Sequence, residues 1–300
     1  MEASRRGVRA AQEARVTADF GRRYLVEDAQ GNTYAAVRRG KRTDVAVGDV
    51  VEVTLASATD AVIERVLPRT NLLMRADGVR EKTLAANVDQ VAVVFASAPP
   101  FSEEFLWRAL LAAHGAGIPP LAILNKTDLP EQQRARAALA RLQALGVATL
   151  AVSAQAEGTA ARAALIERLR SQVTLLVGQS GMGKSTLLNL LVPQANARTQ
   201  DFSRRLNLGR QTTTATRWYA LPEGGALIDS PGFQSFGLAH LDARTIAEGM
   251  SDFTPYLGGC RFNDCLHLDE PGCAVRAAVE QGAIEAARYL FYRDLLAARP

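Results

Sequence analysis

Lysine is scarce in this sequence. Of 35 basic residues, Lys41, Lys82, Lys126 and Lys184 are the lysines, and arginine supplies the rest. Two of the four lysines lie inside short motifs described below, where a compact ammonium is not interchangeable with a planar guanidinium. Long apolar runs are missing as well. No stretch approaches the ~20 consecutive apolar residues of a membrane-spanning helix. The opening Met1-Glu-Ala-Ser-Arg-Arg6 also has none of the apolar core of a secretory signal. These absences predict a cytoplasmic chain without a membrane partner. Cysteine is limited to 3 residues, all late in the chain, so pairing would leave one over. A disulfide framework is therefore not expected. Internal repeats and low-complexity tracts are absent.

What is present suits two or three domains: 300 residues, 48% hydrophobic and 22% charged. The net charge of +4 is unevenly placed, with Arg38-Arg39 and Lys41-Arg42 clustered near the start. Such a cluster reads either as a solvated face or as a footprint for a phosphate backbone.

The texture divides the chain. Residues 1–13 read as a flexible N-terminus. Residues 14–68 hold short β-rich runs at Ala14–Phe20, Tyr24–Glu27, Thr33–Val37, Val50–Leu55 and Ala61–Val66, with turn residues between them. Val51-Glu-Val-Thr-Leu55 alternates with the period of a strand. Five short strands predict a small barrel, either an oligonucleotide-binding fold or an SH3-like one. Residues 69–87 are mixed and read as a linker. Over 88–238, apolar strands at Val91–Ala96, Leu121–Leu124, Ala148–Val152 and Thr174–Val177 alternate with helical stretches at Glu103–His114, Glu131–Leu145 and Thr159–Leu169. That alternation predicts an α/β domain with a parallel sheet covered on both faces. Residues 239–300 form a helical tail that holds the cysteines. It ends in an amphipathic stretch, with Ile284, Ala287, Phe291 and Leu295 facing its own domain.

Gly178-Gln-Ser-Gly-Met-Gly-Lys-Ser185 fits the G-x-x-x-x-G-K-[ST] phosphate loop and has the required context of a strand before and a helix after. Gly178, Gln179, Ser180, Gly181, Met182 and Gly183 let backbone N–H groups turn toward phosphate oxygens at a helix N-terminus. Lys184 is expected at the β/γ-phosphates and Ser185 on magnesium, with Thr186 beside them. Base identity comes from Asn125-Lys126-Thr127-Asp128, which ends a predicted strand. A carboxylate such as Asp128 accepts from the adjacent N1–H and amine of guanine, which adenine does not present together. Asn125 and Lys126 are expected to tie this loop to the phosphate loop. Ser153-Ala154 ends the next strand and offers a backbone N–H to the guanine O6. Asp229-Ser-Pro-Gly232 fits a γ-phosphate-sensing loop, with Asp229 holding magnesium through water and the Gly232 N–H at the γ-phosphate. Gly209-Arg-Gln-Thr-Thr-Thr-Ala215 lies where a threonine closes over magnesium. Thr213 is favoured, although the run Thr212–Thr214 leaves the choice open.

These motifs stand in an unusual order, with the guanine-reading segments ahead of the phosphate loop. The same sheet assembles from a circularly permuted chain, because chain ends can be moved to surface loops. The permutation sends Asp229–Gly232 directly into the tail. There, Cys260, Cys265, His267 and Cys273 follow the spacing C-x4-C-x-H-x5-C. Four thiolate and imidazole ligands suit one tetrahedral, structural zinc.

Barrel, permuted GTPase domain and Cys/Cys/His/Cys tail together resemble the ribosome small-subunit-dependent GTPase A family, over nearly the whole chain from about residue 14. Asn87-Val-Asp-Gln90, Gly178–Ser185, Gly209–Thr214, Asp229–Gly232, Cys260–Cys273 and the stretch Ala274-Val-Arg-Ala-Ala-Val-Glu280 carry the likeness. The resemblance implies a monomeric GTPase that cycles GTP to GDP with magnesium. It implies binding to the small ribosomal subunit and its rRNA late in assembly, then hydrolysis there and release. An RNA-binding scaffold that uses GTP as a switch is the alternative, and a P-loop ATPase is disfavoured by Asn125–Asp128. Many family members carry histidine where this chain has Gln211, and Phe233 stands where a Ras-like enzyme has a glutamine that orients water. Gln211 can orient water but accepts a proton less readily than imidazole, so the group that positions the nucleophile stays open. Gly181 replaces the asparagine of potassium-dependent relatives, and no potassium requirement is expected.

Overall fold

The computed structural model describes residues 11–40, 44–77, 80–193, 195, 215–231 and 236–298. Gln211, Thr212, Thr213, Thr214, Gly232 and Phe233, and with them the expected magnesium threonine and γ-phosphate N–H, lie outside the described residues, as do Lys41 and Arg42.

Five strands build the N-terminal barrel: β1 (Gln12–Asp19), β2 (Tyr24–Asp28), β3 (Thr33–Arg38), β4 (Val50–Leu55) and β5 (Asp60–Val66). They pair in the order β1-β2-β3-β5-β4, and β4 returns to β1 to close the ring. Every pair is antiparallel except β3–β5, which is parallel. That order is the Greek-key closure of the oligonucleotide-binding fold. Alternation along β1 sends Ala14 and Val16 into the barrel's own core with Tyr24, Val26, Val51, Val53 and Ile63, and a register shift after Val16 places Ala18 with Leu25 in a separate cluster. Asp49 is fully buried and carries a two-pronged ion pair from Arg69, at 2.6 and 2.7 Å. This is the bidentate geometry that makes burial of a charged pair tolerable.

The segment 69–87 is a hairpin of β6 (Leu72–Asp77) and β7 (Arg80–Ala86). It is bolted to the barrel at Gly48, whose carbonyl accepts from Asn87 at 3.0 Å. A Cβ on Gly48 would lie 2.1 Å from the Ala86 carbonyl oxygen. On its other side, Ala76 bridges Leu238 and exchanges hydrogen bonds with Gly237 and Ala239.

The central domain runs β8 (Gln90–Phe95), α1 (Glu103–Gly115), β9 (Pro120–Leu124), α2 (Gln133–Ala144), β10 (Ala148–Ala151), α3 (Gly158–Leu169), β11 (Val173–Val177), α4 (Lys184–Leu191), β12 (Thr216–Ala220) and β13 (Ala226–Asp229). Strands lie in the order β10-β9-β8-β11-β13-β12, and all pairs but β12–β13 are parallel. Nearly every residue of β8, β9 and β11 is buried, as a sheet covered on both faces requires. Counted from β11 through β13 and then β8 through β10, the spatial order is 2-3-1-4-5-6, the doubly wound order of an unpermuted nucleotide-binding domain. The two ends that permutation joins meet between α3 and β11. Ser171 there takes φ 61° and donates its N–H to Gly224 at 3.0 Å. Three residues suffice because α3 ends beside the start of β11.

The tail holds α5 (Ala243–Gly249), α6 (Ala274–Glu280) and α7 (Ala286–Ala297). It packs on α1 and shares one continuous core with the central domain. Trp107 meets Phe291 with ring centroids 5.0 Å apart, and the buried Arg288 pairs with Asp252 at 2.8 Å. Ile284, Phe291 and Leu295 are buried in that seam.

Candidate functional site

Because β8, β9, β10, β11 and β13 run in one direction, their carboxyl ends share one edge, where open α/β sheets bind ligands. The phosphate loop follows β11 and enters α4. Gly178, Gly181 and Gly183 take φ of 158°, 82° and 92°. A Cβ on Gly178 would lie 2.4 Å from the Val94 carbonyl oxygen, and one on Gly183 would lie 2.2 Å from Asn125 Nδ2. The last glycine is thus required twice, by a left-handed backbone and by the Asn125–Asp128 loop pressing on it. Gly183→Ala should therefore lower nucleotide affinity at least tenfold and stability by about 1–3 kcal/mol. Titration with a fluorescent GDP alongside thermal unfolding checks both.

Asn125 is 1% exposed and joins three segments. Its Nδ2 donates to the Met182 carbonyl at 3.1 Å, and its Oδ1 accepts from the Ala154 N–H at 3.2 Å. Lys126, with φ 60°, sends Nζ to the Ala98 carbonyl at 2.9 Å. The Thr127 N–H donates to the Val152 carbonyl at 3.3 Å. Asp128 is exposed at the rim and accepts from the buried Ser153 hydroxyl. The three segments singled out for base and phosphate recognition thus form one hydrogen-bonded surface. Gln179 and Lys184 extend it: Gln179 Oε1 accepts from the Ser102 N–H at 2.9 Å, and Lys184 Nζ donates to the carbonyls of Gly178 and Gln179 at 2.7 and 3.1 Å. Ser180, Gly181, Ser185 and Thr186 are exposed along the loop and first helical turn, while Met182 is buried.

Asp229 closes the edge on the far side. Burial pushes its carboxyl up to about 6, with Lys184 and Arg217 pulling it back. Burial likewise lowers the Lys184 ammonium, against the pull of Asp229. Asp229 Oδ1 is buried without a hydrogen-bond partner among the described residues. An uncompensated carboxylate oxygen beside a desolvated ammonium fits a site that takes a divalent cation on one side and phosphate on the other.

A second cluster lies in the tail. Cys260, Cys265, His267 and Cys273 place their ligand atoms within 4.8 Å of one another. His267 Nδ1 is 3.5 Å from the sulfurs of Cys260 and Cys273, which are 3.9 Å apart. A tetrahedron with Zn–S of about 2.3 Å has edges of about 3.8 Å, so the set fits that metal. Burial and the neighbouring sulfurs push the Cys265 thiol up to about 12. Around the cluster, Tyr289 and Tyr292 donate their hydroxyls to the carbonyls of His267 and Leu266 at 2.8 and 2.7 Å. The Glu270 carboxylate accepts from Leu266 and Leu268 N–H at 2.9 and 2.8 Å.

The RsgA GTPase family model matches residues 66–239. The Small ribosomal subunit biogenesis GTPase RsgA of Paraburkholderia xenovorans is 50% identical over 288 residues, covering 94% of this chain and 91% of the relative. Its counterpart in Bordetella pertussis is 48% identical over 294 residues, covering 96% and 98%. The chain belongs to the RsgA GTPase family. Among solved structures, YjeQ from Thermotoga maritima superposes with a TM-score of 0.71 at 28% identity, covering 97% of this chain and all of that one. YloQ, described as a circularly permuted GTPase, gives 0.68 over 99% of each chain at 24% identity and supports the fold alone.

Sequence reasoning missed several supports of this RsgA-type site. Gln132 Nε2 donates to Ser97 Oγ and to the carbonyls of Lys126 and Leu129, which fixes the Asn125–Asp128 loop from behind. No motif marks a glutamine in Pro130-Glu-Gln-Gln-Arg134. Glu270, Tyr289 and Tyr292 were equally silent, because their partners are backbone carbonyls and N–H groups brought close only by the fold. Among the described residues, His114 and His240 are not part of the metal-ligand cluster.

Proposed function

We propose that this GTPase serves biogenesis of the small ribosomal subunit, binding it through rRNA as a monomer and leaving after hydrolysis. The observation that carries the reading is likeness at about half identity, across nearly the full length, to relatives that bear that name. Asp128 accepts the guanine N1–H and amine, while Asn125 holds the phosphate loop and the Ala154 N–H in register. Gly178–Lys184 wraps the phosphates and Lys184 meets the β/γ-oxygens. Ser185, Asp229 and a threonine of Thr212–Thr214 would hold magnesium, whose charge offsets what develops on the phosphoryl oxygens. The chain then has little covalent chemistry to perform. Gln211 and the Gly232 N–H are placed by sequence to orient water and sense the γ-phosphate. Zinc at Cys260, Cys265, His267 and Cys273 is structural, since four protein ligands leave it no open position.

The sensing loop leads through Gly237 and Leu238 into the tail, so nucleotide and subunit should bias one another. A coupling of about 1–3 kcal/mol, or about 5–150-fold in affinity, is expected. Subunit affinity measured at fixed salt should be tightest with a non-hydrolysable GTP analogue. GTP turnover should rise by about 10³-fold or more on the subunit. Equal affinity for GTP-analogue, GDP and nucleotide-free forms, with unstimulated turnover, would leave a scaffold in place of a switch.

A further inference from the structure

Arg217 is buried, with 6% of its surface exposed. Its Nε and Nη2 have no hydrogen-bond partner among the described residues. Other buried or half-buried arginines differ. Arg288 is forked onto Asp252 at 2.8 and 3.2 Å, and Arg69 is forked onto Asp49. A guanidinium withdrawn from water without an acceptor is costly and points to a partner supplied in the working state.

The register says where that partner lies. On one side of β12, Arg217 stands opposite Ala18 of barrel strand β1. On the other, it stands directly opposite Asp229 of β13. Directly opposed residues of an antiparallel pair share a face, with Cβ atoms about 5 Å apart. Asp229 is the carboxylate whose Oδ1 is itself buried and unpartnered. Two unsatisfied groups of opposite charge thus face each other across one strand pair. The barrel covers the pair from outside, because the Phe20 ring lies over the guanidinium at 5.4 Å from its centroid.

We propose that Arg217 is a positioning residue for the magnesium side of the site: its guanidinium orients the Asp229 carboxylate from behind, and the barrel, through Phe20 and the β1–β12 pairing, holds Arg217 in place. The inference rests on the reading of Asp229 as a magnesium-side carboxylate. Arg217 touches no nucleotide. In the magnesium-bound state one Asp229 oxygen would face the metal's water shell and the other would accept from Arg217, a bond that is not made in the present arrangement, as outer-shell donors commonly do for metal ligands. A consequence for the architecture follows. The β1–β12 junction becomes a direct route from whatever the barrel binds to the cation site, independent of the path through the tail.

The test uses the full chain and reads release of a fluorescent GDP, from chelator to saturating magnesium, so no turnover is needed. Arg217→Gln should raise the magnesium concentration that half-slows release by about 10–100-fold, the usual effect of losing an outer-shell partner. Release in chelator should stay within about threefold. Arg217→Lys should recover part of the shift, and Phe20→Ala should move the midpoint in the same direction by less. A merely structural arginine would lower the unfolding temperature and leave the midpoint alone, and that result overturns the proposal. Asp229→Asn separates the two readings. If it shifts the midpoint while folded Arg217→Gln and Arg217→Lys do not, the positioning role fails alone. If Asp229→Asn leaves the midpoint unchanged, the magnesium reading of Asp229 fails with it.

Discussion

Asp128→Asn should exchange guanine for xanthine as the preferred base. Guanine presents two donors side by side, and Asp128 at the rim offers two carboxylate oxygens to them. Each hydrogen bond to a charged acceptor contributes about 1.5–3 kcal/mol. Losing the acceptor for the amine, together with the charge that strengthens the bond to N1–H, should weaken GTP binding by about 10²–10⁴-fold. Xanthine carries a carbonyl where guanine has its amine, so an asparagine amide can donate to it while its oxygen accepts from N1–H. The Ser153 hydroxyl, which donates to Asp128 Oδ1, should select the asparagine rotamer that keeps oxygen on that side and turns the amide outward. Stability should hardly change, because Asp128 is exposed and makes no core contact. Competition of GDP and XDP against a fluorescent nucleotide measures the switch. An unaltered preference for GDP in the variant would remove Asp128 from base recognition.

The equivalent change at Asn125 would not be a clean specificity test. Its side chain spans the Met182 carbonyl and the Ala154 N–H from a fully buried position. Removing it would leave buried groups unpaired and disturb the phosphate loop. The two ends of one tetrapeptide would thus divide the work, with buried Asn125 joining the segments of the site and exposed Asp128 proposed to read the base.

This division explains how much was legible beforehand. The residues that the fold gathers at the sheet edge were visible because the proposed chemistry demands fixed types at fixed spacings: glycines where φ is positive, a lysine at a helix start, a carboxylate at a strand end. The barrel strands were visible because half-buried β structure alternates with period two. The closure of the barrel was not visible, since the parallel β3–β5 pairing is a long-range choice that periodicity does not encode. The hairpin β6–β7 was obscured for a related reason. Its sequences Leu72-Leu-Met-Arg-Ala-Asp77 and Arg80-Glu-Lys-Thr-Leu-Ala-Ala86 mix charged and apolar residues because the ribbon buries Leu73, Ala76, Leu84, Ala85 and Ala86, exposes Glu81 and Lys82, and half-buries Leu72, Met74, Arg75 and Thr83. Arg217 was hidden inside Thr216-Arg-Trp-Tyr219, which reads as an ordinary strand with one polar position. Only the register shows that this position faces Asp229.

The tail carries the other large effect. Cys265→Ser should abolish stoichiometric zinc and unfold the segment around residues 258–273. Structural zinc in finger peptides contributes about 10–16 kcal/mol, more than a module of this size gains from its own core. The packing indicates how far the damage spreads. Tyr289 and Tyr292 hold the carbonyls of His267 and Leu266, so collapse of the cluster strips α7 of two anchors. Against that, Trp107 of α1 meets Phe291 and lies under the Arg288 guanidinium, which is itself paired with Asp252 within the tail, so α7 stays fastened from the other side. Unfolding should therefore stop at the knuckle and its immediate supports. Nucleotide affinity should stay within about threefold, because Asn125–Asp128 and Gly178–Ser185 make no contact with the cluster. Subunit binding should be lost. Metal content by atomic emission, together with amide exchange across 258–298, tests each part. A metal-free wild-type chain whose tail amides stay protected would show that the four ligands pack as ordinary side chains, and loss of GDP binding in Cys265→Ser would show that the tail supports the nucleotide site directly.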